Sequence, residues 1–175
     1  MATKKAAPKV KVDPKPEPKS KTMKLAEALL LRADMQKKVA SLRERIVANG
    51  VVQEGQTPSE DPNELLLEAV GALQDLESLI ARINHTNLAA KLADGRTLTD
   101  AIARRDRLVQ QHALLTAAAA GSRKEPDRYG VREIKWVAAM DVKKLQKQTD
   151  DLSKNIRELN ARIQETNWKV NLVDI

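Results

Sequence analysis

Ala81-Arg82-Ile83-Asn84-His85-Thr86-Asn87 recurs as Ala161-Arg162-Ile163-Gln164-Glu165-Thr166-Asn167, an offset of 80 residues. Upstream of each copy stands a second matched pair. Leu25-Ala26-Glu27-Ala28-Leu29 answers to Leu98-Thr99-Asp100-Ala101-Ile102 at an offset of 73. The chain reads as one helical hairpin written twice. A repeated supersecondary unit buries its apolar face against its own copy, so the duplication predicts architecture directly.

Working outward, each half holds two long runs with apolar residues at alternating steps of three and four, the spacing of one helix face. The first seam is Leu25, Ala28, Arg32, Met35, Val39, Leu42, Ile46, in a helix that starts at a Thr22 cap and ends at Asn49-Gly50. The second is Leu65, Ala69, Ala72, Leu76, Leu79, Ile83, Thr86, Ala90, after a cap at Asp61 with Pro62 in the first helical position. Asp94-Gly95 predicts a tight turn. The third seam, Leu98, Ala101, Arg105, Leu108, His112, Leu115, Ala119, repeats the first position for position and follows Thr97 with Asp100 three residues on. The fourth is Leu145, Thr149, Leu152, Ile156, Leu159, Ile163, Thr166, Val170, starting at Asp141. The expected fold is all-α: a duplicated hairpin forming an antiparallel four-helix bundle or coiled coil. Repeat 1 spans about 23–92 and repeat 2 about 97–172, within a helical domain of residues 23–175. Short strands are expected in the two long connectors, at Val51-Val52 and at Glu133-Ile134-Lys135-Trp136-Val137.

Composition agrees with long, wet-faced helices. There is no Phe, one Tyr and two Trp, while 31% of the chain is charged. The absence of cysteine excludes a disulfide framework and thiolate chemistry. No apolar run approaches the roughly 18 residues of a membrane span, and the lysine-rich start is not followed by the apolar stretch of a secretory signal. The net charge of +7 is unevenly placed. Residues 1–22 carry Lys4, Lys5, Lys9, Lys11, Lys15, Lys19 and Lys21 against Asp13 and Glu17, net +5, leaving +2 for the rest. With four prolines and almost nothing to bury, this segment reads as a disordered cationic arm. It is either a contact for nucleic acid or another polyanion, or a solubilising extension.

The repeat also duplicates polar residues at seam positions. Arg32 matches Arg105, Arg82 matches Arg162, Thr86 matches Thr166, and Asn87 matches Asn167. In an antiparallel hairpin the start of one helix lies against the end of the next. Arg32 is therefore expected near Arg82–Asn87, and Arg105 near Arg162–Asn167. Glu27, Asp100, Glu77 and Glu165 are the carboxylates at hand for these arginines. Such a cluster holds an anion through arginine and asparagine side chains, or it satisfies itself and sets helix register, the commoner use of polar seam residues.

Chemistry-bearing motifs are missing. His85 and His112 stand alone, and the Glu-x-x-His pairs of a di-iron bundle fail, since Ile80 follows Glu77 by three and Arg82 precedes His85 by three. No zinc-protease, phosphate-loop, dinucleotide-binding or nucleophile-elbow motif is present. The sequence gives no catalytic residue, metal site or cofactor. The connector 121–140 gathers Tyr129 and Trp136 with Arg123, Lys124, Arg128, Arg132 and Lys135. That mixture suits single-stranded nucleic acid, or an edge strand paired with a second subunit or with Val51-Val52, anchored by Tyr129, Ile134 and Trp136.

Met23 through Asp34 (MKLAEALLLRAD), Ala93-Asp94-Gly95-Arg96-Thr97-Leu98-Thr99, Glu133 through Val137, and Ile163-Gln164-Glu165-Thr166-Asn167-Trp168 together resemble the septicolysin-like family of small bacterial helical proteins. The resemblance covers about residues 23–170 and implies an α-helical fold, a usual start at Met23 and, through the family's name, a membrane-active cytolysin. The residues themselves point elsewhere. They predict a cytoplasmic, non-enzymatic helical protein that self-assembles into a homo-oligomer, with nonspecific nucleic-acid binding through the arm as the alternative.

Overall fold

The computed structural model describes residues 22–123 and 137–174, which hold four helices: α1 Leu25–Asn49, α2 Pro62–Ala89, α3 Leu98–Gly121 and α4 Val142–Lys169. Each begins where its local chemistry dictates. Asp61 accepts the Asn63 N–H with Pro62 next in line, Thr97 accepts the Asp100 N–H at 3.1 Å, and Asp141 accepts the Lys144 N–H at 3.0 Å. Helix α1 departs from expectation by starting two residues late, with Lys24 as its cap and the Glu27 carboxylate accepting the Lys24 N–H at 2.8 Å. The reason is tertiary: the Met23 carbonyl accepts the Leu172 N–H at 2.8 Å, which ties Met23 to the chain after α4 instead of to a first helical turn.

The periodicity translates directly into burial. Every predicted seam position of α2 is buried, from Leu65 to Ala90. Those of α1, α3 and α4 are buried or half-buried without exception. Helix α1 packs along α2, and α3 along α4, giving two antiparallel hairpins. Contact between the hairpins is much sparser. They meet at the end away from the connectors, where Leu25, Ala28, Ile83, Leu98, Ala101 and Ile163 join one core with Ala90, Leu92 and Leu172. A separate small core of Leu42, Leu65 and Ala69 lies towards the connector end of the first hairpin.

A pseudo-twofold relation governs the junction. Leu98 donates to the Ala90 carbonyl at 2.9 Å, and Leu25 donates to the Val170 carbonyl at 3.0 Å. Leu92 donates to Arg96 and Leu172 to Met23, both at 2.8 Å. Single bridges join Lys91 to Thr97 and Lys24 to Asn171. The bonds that close the α2–α3 turn thus recur between residues 23–25 and 170–172. Gly95, at φ +83°, makes that turn possible, since residues bearing a Cβ rarely adopt a left-handed backbone.

The strands expected in the connectors are not found among the described residues. Val51 is 90% exposed and lies in irregular chain that turns at Gly55, while the Asn49 side chain holds the far end by accepting from Ser59 Oγ and the Glu60 N–H. Among the described residues this two-residue valine run has no partner strand, and so no ladder to join. Val137 is exposed and in no regular element; residues 133–136 lie outside the described residues.

Candidate interaction surface

The duplicated polar residues lie near the junction, and the structure disperses them over different partners. Thr86, fully buried, donates to the Arg82 carbonyl at 2.8 Å and accepts the Val173 N–H at 3.0 Å. Arg82 binds the Val173 carbonyl through Nε at 3.1 Å and pairs with Asp174. Arg162 stands 4.0 Å from Asp94. These ion pairs are themselves a repeat, because Asp94 and Asp174 are 80 residues apart, as are Arg82 and Arg162. In each, the segment leaving one hairpin reaches an arginine of the other. Leu-x-Asp at 92–94 and at 172–174 was the sequence signal for this exchange.

The remaining members point elsewhere. Arg105 turns to its neighbour Asp106 at 2.7 Å. Arg32 is half-buried, its Nε directed inward and out of reach of a protein acceptor. Thr166 bonds its own helix at Arg162 at 2.8 Å, Asn167 is buried and Asn87 half-buried. Glu27 serves the α1 cap and Glu165 pairs with Lys169, which holds its carboxyl below the usual carboxylate range. Tyr129, Ile134 and Trp136, and the arm lysines Lys4, Lys5, Lys9, Lys11, Lys15, Lys19 and Lys21, lie outside the described residues.

Helix α2 carries an uncovered apolar surface that the inward seams do not account for. Leu66, Leu67, Val70 and Leu73 of α2 are 53%, 74%, 46% and 49% exposed. At about 100° per residue, Leu66, Val70 and Leu73 fall within an arc of about 60°, beside the buried seam. The repeat supplies an internal control. The positions 80 residues on, in α4, are Gln146, Lys147, Asp150 and Ser153, and Ile80 is matched by Asn160. Helix α4 forms the same hairpin with polar residues there, so the fold does not require the α2 leucines.

The other side of the first hairpin is charged and self-satisfied. Lys38 pairs with Glu68 at 2.7 Å, and Arg45 bonds Glu60 through Nε at 2.9 Å. The hydrogen bonds from Lys38 and Arg45 hold the Glu68 and Glu60 carboxyls below the usual range. At the turn, Arg96 does the same for Asp94, with Arg162 contributing less. The shallow concavities are open: one between α1 and α2 is lined by Leu31, Lys38, Glu68, Asp75 and Arg82. Among the described residues no three His, Cys, Asp or Glu side chains converge as metal ligands, and no helix is long and apolar enough to cross a membrane.

Comparison with known proteins places this geometry in a wider group. Residues 32–172 match the model of a family described as a family of unknown function, DUF6847. The fold also matches the crystal structure of a functionally unknown conserved protein from Corynebacterium diphtheriae. That protein is 36% identical, with a TM-score of 0.80, over 87% of this chain and 99% of the other. A search of curated proteins found no match. These matches overturn the resemblance to the septicolysin-like proteins, and the cytolytic expectation loses its basis. The motifs that suggested it are largely what an amphipathic helix and a capped turn require in any protein: Leu25 through Leu29 is seam and cap, and Ala93 through Thr99 is turn and cap.

Proposed function

The chain belongs to the DUF6847 family, and we propose that it is a non-enzymatic, cytoplasmic protein that works by associating with copies of itself. One observation carries the reading: an exposed apolar face on α2 whose counterpart on α4 is polar. Surface aliphatic residues are ordinary when scattered; here they are contiguous, sit on one helix, and are dispensable to the hairpin. Fully burying a leucine or valine is worth about 1.5–3 kcal/mol, so covering the half-exposed Leu66, Val70 and Leu73 on each of two chains is a substantial driving force.

Sedimentation velocity across a wide concentration range tests the reading. A species of twice the 19.4 kDa chain mass, growing with concentration, is expected. A single-chain mass at every concentration would overturn it.

A second reading rests on the charge of residues 1–22, net +5 in a chain of net +7. Such an arm neutralises phosphates on nucleic acid without sequence preference. It predicts binding to a labelled duplex that falls steeply with salt and disappears when residues 1–22 are deleted. Affinity that survives the deletion would remove the arm from consideration.

A further inference from the structure

Resting on the self-association reading, we infer that the two chains pair through antiparallel α2 helices, with the twofold axis close to Val70, so that two α1–α2 hairpins form an intermolecular four-helix bundle. Charge argues for a second copy as the occupant. In a twofold contact every residue meets the surface it belongs to, so an unbalanced charge at the centre repels itself. The α2 stripe carries none: Leu66, Val70 and Leu73 are bordered by Asn63, Leu67 and Gln74, and its first charge is Glu77.

The register within the hairpin then supplies complementarity at the edges. Lys38–Glu68 and Arg45–Glu60 set α1 against α2, and this register brings Arg43 level with the first turn of α2, around Asn63. Arg43 and Val47 are exposed and lie across the α1 seam from Lys38 and Arg45, on the side of the leucine stripe. With the axis at Val70, the level of Asn63, seven residues before it, coincides with that of the partner's Glu77, seven after. Arg43 of each chain therefore comes beside the partner's Glu77, giving two symmetric ion pairs around an apolar centre. Polar Gln146, Asp150 and Ser153 leave α4 without such a centre.

The 175-residue chain, having no cysteine, is suited to the test. Val70→Cys places two thiols across the axis within disulfide reach. Under mild oxidation it should form a covalent dimer in high yield, while Asp150→Cys, its repeat counterpart, should not. Arg43→Glu and Glu77→Arg should each weaken self-association about tenfold, two edge pairs being lost at once, and the double reversal should restore it. Equal cross-linking at the two cysteines, or no restoration by the double reversal, would overturn the α2 pairing while a dimeric wild type leaves self-association standing. A wild type that remains a single chain sinks both.

Discussion

Helices α2 and α4 are two copies of one element, and they differ most where they face away from their own hairpins. Inward, the copies agree: Leu79 and Leu159, and Ile83 and Ile163, are buried in both. Outward, Leu66, Leu67, Val70 and Leu73 stand against Gln146, Lys147, Asp150 and Ser153. The hairpin needs only the inward stripe, which alternating steps of three and four provide. Whatever the outward stripe of α2 serves, it is not the packing of α2 on α1.

The largest effects come from the part the copies share. Ile83→Ala and Ile163→Ala each remove a buried side chain from the common core, and each should cost about 2–5 kcal/mol in urea unfolding. Comparable losses are expected because the two sites are equivalent. If one variant unfolds readily and the other hardly changes, the pseudo-twofold core is wrong.

Next comes the outward face, where the copies should part company. Leu66→Glu or Leu73→Glu should leave the unfolding midpoint nearly unchanged yet shift the chain to lower mass, because a charge would enter an apolar contact. Gln146→Glu or Ser153→Glu should change neither quantity. Equal loss of mass from both faces would dissolve the distinction between them.

A smaller asymmetry lies at the junction. Thr86→Val deprives the Val173 N–H of its part-buried acceptor, a cost of about 1 kcal/mol. Thr166 bonds only its own helix, so Thr166→Val should change stability by less than about 0.5 kcal/mol. Thermal unfolding of the two variants decides the point.

The smallest effect is electrostatic and specific to the first hairpin. Glu60 and Glu68 have carboxyls depressed by Arg45 and Lys38, so the stability they add is present above the usual carboxylate range and lost as pH falls through and below it. Glu60→Gln with Glu68→Gln should therefore lower the melting midpoint slightly at pH 7, by an amount that shrinks as pH falls below the usual carboxylate range. A difference that stays constant with falling pH would place the cause in packing instead of charge.

Much of this was legible before any coordinates. The four helices, their caps at Asp61, Thr97 and Asp141, and the inward seams follow from periodicity and local hydrogen-bond chemistry. What escaped depends on contacts between distant segments. The late start of α1 follows from Met23 being used by Leu172, and no helix-start rule carries that information. The Arg82–Asp174 and Arg162–Asp94 exchange follows from how the hairpins cross, although the 80-residue offset already ran through both aspartates. The α2 leucines lie off the inward seam, so helical periodicity alone does not single them out. Subtracting one repeat from the other would have exposed them.

The most direct test of the central claim is to rewrite the α2 face with its own counterpart: Leu66→Gln, Leu67→Lys, Val70→Asp and Leu73→Ser together, compared with wild type by sedimentation velocity. The wild type should sediment as a dimer, and the rewritten chain as a folded single chain with undiminished helix content. A rewritten chain that keeps the wild-type mass would contradict the claim, since the face held responsible for association would have been removed without consequence.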